Sequence, residues 1–429
     1  MAANVGFLSG VISLFRRPIQ VSITSPQGAP KTRHIKPVRG LNVAGLSLKF
    51  DADPQGCLRK VNDLLSQEIG LRPFNLSRPL AANGQPGAML EFDFFMKTSV
   101  PLIVVGDLHG NEQNLNELLK VYGRMLDKGE IQLVFLGDYI HPESGDLKDM
   151  TSSLRVLKAL IALKNAYPDR VQCLLGNHDL IYSSAEVRNE IIKQEEQSPN
   201  QDTLDLVAGL SNNSPIDFRG VDANMLICKG NSPAMSLQVI EFLRYLIKQM
   251  KAENYSEQQI KETLALYQGF FDGCPLSAIW EGEDGAGLLA HSATIRKGVT
   301  RKQLTDARLD SKLVEQLLWN RYKQDDDPNK AYTEFDSVAT AKDLRLVGKN
   351  NDRPVCLVGG HTPHDDGKTS IYERFNSGIL PPIYRIIRNL IVHGNVDDFF
   401  VLEVGTDGLV DTGNDVHAIH AAYLNAGGI

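Results

Sequence analysis

Leu102-Ile103-Val104-Val105-Gly106-Asp107-Leu108-His109-Gly110-Asn111 is the stretch on which the fold turns. Four apolar residues in succession read as a strand covered on both faces, and Gly106 lets the chain bend sharply at its end. Asp107 and His109 leave the strand tip two residues apart, so their side chains can converge on one point. A carboxylate beside an imidazole, with no thiolate near, suits Zn²⁺, Mn²⁺ or Fe. Taken alone, the same residues also read as loop polars satisfied by their own neighbours.

The design recurs along the chain. Leu133-Val134-Phe135-Leu136-Gly137-Asp138 repeats apolar run, glycine and aspartate. Val171-Gln172-Cys173-Leu174-Leu175-Gly176-Asn177-His178-Asp179 is a third case, and Val355-Cys356-Leu357-Val358-Gly359-Gly360-His361 a fourth. Between these two, Leu288-Leu289-Ala290 runs into His291. Strand tips that each offer Asp, Asn or His are what a sheet would supply to a two-metal site at its carboxyl-end loops.

GDLHGN, GDY, GNHD, a lone His after an apolar strand, and GGHTP resemble, in that order, the calcineurin-like metallophosphoesterases, and the phosphoprotein phosphatase branch most closely. The resemblance covers roughly 101–411. It implies an α/β (α+β) fold, a central β-sandwich flanked by helices with two divalent metal ions at the strand tips, Mn²⁺ foremost and Fe or Zn²⁺ as alternatives. By the same resemblance Asp107 and His109 bind the first metal, Asp138 bridges both, and Asn177, His291 and His361 complete the second. A hydroxide activated by the two metals would attack phosphorus, with His178 as the general acid that protonates the leaving oxygen. A plainer role for His178 is a hydrogen bond donor beside the metal ligands. His393, in Ile391-Val392-His393-Gly394, rivals His291, but only His291 falls between GNHD and GGHTP.

Two departures bear on substrate. The branch usually reads GDYVDRG, whereas this chain reads Gly137-Asp138-Tyr139-Ile140-His141-Pro142-Glu143, without the Asp that orients the catalytic His or the Arg that grips phosphate. Arg188, Arg296, Arg321 and His141 are the candidate replacements for phosphate contact. Arginine suits because its planar fork matches two phosphate oxygens. Such departures, with a helical insertion, are also similar to bacterial effector phosphatases delivered into host cells. A cysteine-based tyrosine phosphatase is excluded. It needs Arg six residues after Cys, and the residues there are Asp63, Asp179, Ala234, Trp280 and Thr362.

The substrate expected is a phosphorylated protein. Nucleotide or dinucleotide hydrolysis is the second enzymatic reading, and a phosphoprotein-binding module without catalysis the third. Net charge is −7, yet residues 1–50 hold seven basic and no acidic side chains, so the catalytic part is more acidic than the total suggests. That argues against nonspecific nucleic-acid binding, which needs a basic surface. Five cysteines without paired spacing suit a reducing compartment. No apolar run approaches the ~20 residues that span a bilayer. Gly6–Phe15 is apolar, but its arginines follow it, the wrong order for a secretory signal. A cytoplasmic location is therefore expected, with membrane-surface contact through the basic N-terminus as one option and a docked helix or strand as the other.

Residues 1–100 read as elements packing on a catalytic domain over 101–415, with a tail at 416–429. They include a strand over Ile19–Ser25, an amphipathic helix at 55–70 and a strand over Met89–Phe95, with Met89, Glu91 and Asp93 on its polar face. Helices are predicted after GDLHGN and over Leu154–Ala166, alternating with the motif strands as β-α-β-α-β. Within an insertion at about 184–280, Leu237 to Met250 marks one helix. A second begins at a Ser256–Gln259 capping box and stops at Gly269, so the pair makes a helical hairpin. It serves either packing or substrate recruitment.

Overall fold

A computed structural model describes residues 40–67, 76–95, 100–141, 150–179, 234–283, 285–292, 295, 298–319, 343–346, 355–360, 372–374, 383–386 and 401–404. The chain divides into Met1–Gly40 and Leu41–Ile429, and the helices and strands named below all belong to the second unit. The expected strand over Ile19–Ser25 and the apolar stretch before it lie outside the described residues.

Two sheets organise this unit. The first joins β3 (Leu102–Val105), β4 (Gln132–Phe135), β5 (Val171–Cys173) and β11 (Val401–Val404) in the order β11-β3-β4-β5. Within it β3, β4 and β5 are parallel, linked by α3 (Glu112–Lys128) and α4 (Thr151–Ala166), while β11 closes the edge antiparallel to β3. The second sheet has seven strands. They are β1 (Leu76–Ser77), β2 (Met89–Asp93), β6 (Ser277–Glu281), β7 (Ala286–Ala290), β8 (Val355–Gly359), β9 (Tyr372–Arg374) and β10 (Ile383–Ile386), in the order β1-β2-β6-β7-β8-β10-β9.

Alternation along each strand makes the sandwich. Leu102 and Val104, Val134, Leu90 and Phe92, Ala278 and Trp280, Leu289 and Val358 turn one face of each sheet into a shared apolar layer. The intervening residues, Ile103, Val105, Leu133, Phe135, Met89, Ile279 and Leu288, join the helices in a larger core. This is the expected sandwich flanked by helices. It also explains Met89, which the alternation placed on a polar face and which is fully buried. A strand covered on both faces needs apolar residues at both parities.

The flanking helices begin where capping chemistry dictates. Asn42 accepts from Gly45 N ahead of α1 (Val43–Asp51), and Asp53 accepts from Gly56 N ahead of α2 (Pro54–Leu65), whose first residue is the proline favoured there. The hairpin is present as α5 (Ala234–Ala252) and α6 (Glu257–Gly273), and α6 opens on the Ser256–Gln259 capping box. Its predicted stop at Gly269 is overturned. The helix runs four residues further, to Gly273, and a side chain at Gly269 would meet the Asn62 amide at 2.8 Å. The glycine is a packing site there, and Asn62 Nδ2 donates to Leu266 O beside it. Beyond the hairpin come α7 (Arg301–Thr305), a 3₁₀ turn at Ala307–Leu309 and α8 (Ser311–Trp319).

Arg78 ties these layers together. Fully buried, it donates to the carbonyls of Gly87, Leu65 at the end of α2 and Gly273 at the end of α6. Helix ends leave carbonyls without intrahelical partners, and a guanidinium with five donors can serve several at once.

Candidate metal centre

Because β3, β4 and β5 are parallel, their carboxyl ends emerge at one edge, and the three loops lock together through the backbone. Leu108 and His109 N–H both donate to Asp138 O, at 3.1 and 2.7 Å, and Gly110 N–H donates to Tyr139 O. His109, Asp138 and His141 all adopt positive φ, 44°, 50° and 68°. Left-handed backbone at three non-glycine residues costs on the order of 1–3 kcal/mol each, and is held only where surroundings over-determine it. Those surroundings are visible. A side chain on Gly137 (φ 110°) would sit 2.2 Å from Gly176 N, so the two glycines let the second and third loops pass in contact.

The fastener is Asp179, a residue given no task in the sequence reading although GNHD contains it. Its fully buried carboxylate accepts from the N–H groups of Asp138 (2.7 Å), Tyr139 (3.0 Å) and Gly176 (3.0 Å). Burial and the charge of Asp138 raise its pKa.

Asp138 lies at the middle of the side chains. Its Oδ1 accepts from His178 N–H at 2.8 Å. Its Oδ2 lies 3.3 Å from His291 Nε2, 3.6 Å from His109 Nε2 and 4.0 Å from His178 Nε2. Two clusters share this carboxylate, His109–Asp138–His178 and Asp107–Asp138–His291, each with its ligand atoms within 4.8 Å of one another. The resemblance pairs Asp107 with His109, and the Asp107 carboxylate is 3.4 Å from His291 Nδ1. Asn177 Oδ1 reaches His291 Nε2 at 2.7 Å, and Gly360 N–H, at the end of β8, donates to His291 O. His109 donates Nδ1–H to His141 O at 2.9 Å, which leaves Nε2 turned toward Asp138. A backbone carbonyl that fixes one ring nitrogen is the usual support of a metal-ligating histidine.

The electrostatics fit a cation. Burial opposes ionisation of Asp138, but His291, His178 and His109 around it outweigh that and hold its carboxyl well below the usual range. Burial likewise opposes protonation of His291, yet Asp138 and Asp107 hold its pKa well above the ordinary imidazole value. His178 is pushed down to about 4, chiefly by burial, with Asp138 pulling the other way. Carboxylates, imidazoles and an amide without sulfur are a donor set for Mn²⁺, Fe or Zn²⁺. A shared carboxylate is what two cations ~3.5–4 Å apart require.

The structure thus brings together Asp107, His109, Asp138, His141, Asn177, His178 and His291. His361, Arg188, Arg296 and Arg321 lie outside the described residues, as does His393. Besides Asp179, one neighbour went unforeseen. Phe242, buried on α5, meets the His141 ring edge-on, with centroids 6.1 Å apart at 85°. Nothing in the helical periodicity of α5 told it apart from a packing residue.

Among proteins of known name, a Caenorhabditis elegans protein bearing the name of a serine/threonine-protein phosphatase is 35% identical over 83 residues, 19% of this chain. The match spans 20% of that relative's length. Among solved structures, a protein serine/threonine phosphatase from Saccharomyces cerevisiae, described as similar to human phosphatase PP5, aligns at 13% identity with a TM-score of 0.44. That alignment covers 85% of this chain and 83% of the other. No helix among the described residues is long and apolar enough to cross a membrane. The family model for calcineurin-like phosphoesterases matches residues 100–397, from just before β3 to just before β11, and the chain belongs to that family of metal-dependent hydrolases.

Proposed function

We propose that the chain is a two-metal phosphomonoesterase acting on phosphorylated proteins. The observation that carries this reading is the buried Asp138 carboxylate, shared by two clusters of side chains able to ligate metal. Asp107, His109, Asp138, Asn177 and His291 would hold the two cations, with His361 the remaining candidate. When bound, the cations supply a nucleophile from water and neutralise the phosphoryl oxygens. Mn²⁺ is the first ion to test, since the donors are oxygen and nitrogen.

The chain's own residues do the rest. Asp179 holds the Gly137–Tyr139 and Gly176 backbones in register, so the bridging carboxylate is presented without reorganisation. His178, with its backbone N–H on Asp138 Oδ1 and its side chain partly open to solvent, delivers a proton to the leaving oxygen. Pro142 stands where relatives place the phosphate-gripping Arg, so a substrate must find other contacts. The ring of phosphotyrosine offers such area, and phosphotyrosine is accepted at least as well as phosphoserine.

The test is phosphate release by Mn²⁺-loaded protein from matched phosphotyrosine, phosphoserine and phosphothreonine peptides, beside a dinucleotide polyphosphate. Release from peptides alone supports the proposal. Preference for the dinucleotide moves the chain to nucleotide hydrolysis, and no release from any ester moves it to a binding role.

A further inference from the structure

His141 lies in the loop that follows β4, and its side chain has a definite place. His141 Nδ1 lies 3.4 Å from His178 Nδ1, with the rings tilted 64° and their centroids 5.5 Å apart. The ring is completely buried, and its Nε2 has no hydrogen-bond partner among the described residues. Phe242 of the hairpin packs against the same ring. One turn along α5, the Tyr245 hydroxyl is 2.8 Å from Thr151 Oγ1 at the start of α4, which fixes that stretch of the hairpin to the body of the fold.

We infer that His141 is a positioning residue for His178, held in place by Phe242, so that the inserted hairpin sets the geometry of the proton donor. An Nδ1···Nδ1 contact uses one proton, whichever ring supplies it. For a neutral His178 to keep a proton on Nε2, 4.0 Å from Asp138 Oδ2 and facing the reacting group, its Nδ1 must accept from His141 Nδ1–H. The 3.4 Å separation is at the long end for a hydrogen bond and cannot hold two rings by itself. The wall supplied by Phe242 provides the remaining constraint, because a buried aromatic edge contact restricts the ring it touches. The hairpin then acts on catalysis through packing, in addition to whatever its outer face does. This rests on His178 being the general acid.

Two arms test it. In the first, protein carrying ring-¹⁵N histidine is studied metal-free and loaded with diamagnetic Zn²⁺. The His178 ring nitrogens should report one tautomer in the parent chain and in His141→Asn. Asparagine tolerates positive φ and places an amide where Nδ1 was. They should report a tautomer mixture in His141→Leu and in Phe242→Ala. If either variant fails to fold, Phe242→Leu serves in its place. His178 signals unchanged when His141 is replaced by Leu and when Phe242 is truncated would overturn the inference.

The second arm measures kcat and KM. His141→Leu and Phe242→Ala should lower kcat on phenyl phosphate by roughly 10- to 100-fold, with KM and metal content little moved. The loss on 4-nitrophenyl phosphate should be several-fold smaller, and neither change should add to His178→Ala. Additive losses, equal losses on both esters, or loss confined to KM or metal content would overturn it. A parent chain inactive on every phosphomonoester would sink the proposed function, while the nitrogen spectra would still decide whether His141 and Phe242 orient His178.

Discussion

The two sides of the centre are built by different means. On the side proposed to hold the metals, Asp107, His109, Asp138 and Asn177 sit on loops that follow parallel strands. Backbone hydrogen bonds of 2.7–3.1 Å, a carboxylate gathering three N–H groups and two glycines in contact fix those loops. On the side proposed to face the leaving group, His178 lies 3.4 Å from His141, and Phe242, from a helix far along the chain, packs on the His141 ring. The first side is over-determined by short-range covalent and hydrogen-bonded geometry, and the second depends on side-chain packing by a helix from a distant stretch of the chain. The metal side should therefore fail abruptly when altered, and the other side should be tunable.

The sharpest break is Asp138→Asn. Removing the charge shared by both clusters should bring turnover to background and metal content below two per chain, while circular dichroism stays near that of the parent. Turnover near the parent's with two metals bound would end the bridging role. EDTA should abolish activity and Mn²⁺ restore it. Next is His178→Ala, expected to lower kcat by roughly 10²–10⁴-fold on esters with poor leaving groups and much less on activated aryl phosphates. Equal loss on both would make His178 a support for the centre and erase the contrast between its sides.

Gly137→Ala addresses the fixed side alone. A methyl group 2.2 Å from Gly176 N at a φ of 110° should cost about 2–5 kcal/mol, read as a fall in Tm together with weaker metal retention. An unchanged Tm would mean that the loops can part. The smallest effect concerns the tunable side. The ratio of kcat/KM for matched phosphotyrosine and phosphoserine peptides should be one or above. His141→Asp with Pro142→Arg should move it several-fold toward phosphoserine and phosphothreonine, and a ratio well below one in the parent chain would remove the phosphotyrosine reading.

The same contrast explains what could be read in the sequence. Leu102–Asn111, Leu133–Asp138 and Val171–Asp179 announce their strands by apolar runs and their site residues by position, because a strand tip fixes where its next residues go. The sandwich, its helices and the convergence of Asp107, His109, Asp138, Asn177, His178 and His291 were legible for that reason. Asp179 stood in plain view without a role, since its work is done on backbone N–H groups that no side-chain pattern records. Phe242 could not be found at all. A phenylalanine in an apolar helical stripe is identical in pattern whether it meets an aliphatic core or a histidine beside the centre. Gly269 failed for a related cause. Its usual meaning as a helix stop was overridden by the close approach of α2, a fact of tertiary packing.

The pairing of β2 with β6 has a consequence for how the chain is made. Strand β2 leaves the ribosome early, but its parallel partner emerges about 190 residues later, roughly 10–40 s of synthesis. In the neighbouring sheet β3, β4 and β5 with α3 and α4 form one contiguous stretch, and only the edge strand β11 among the described strands comes later. During that interval Met89-Leu90-Glu91-Phe92-Asp93 has, among the described strands, the two-residue β1 beside it. Arg78 waits as well, because one of its three carbonyls belongs to Gly273. The half that carries Asp107, Asp138 and Asp179 can therefore take shape as a nascent unit before the half that carries His291 exists. The centre would close only when the later sheet arrives.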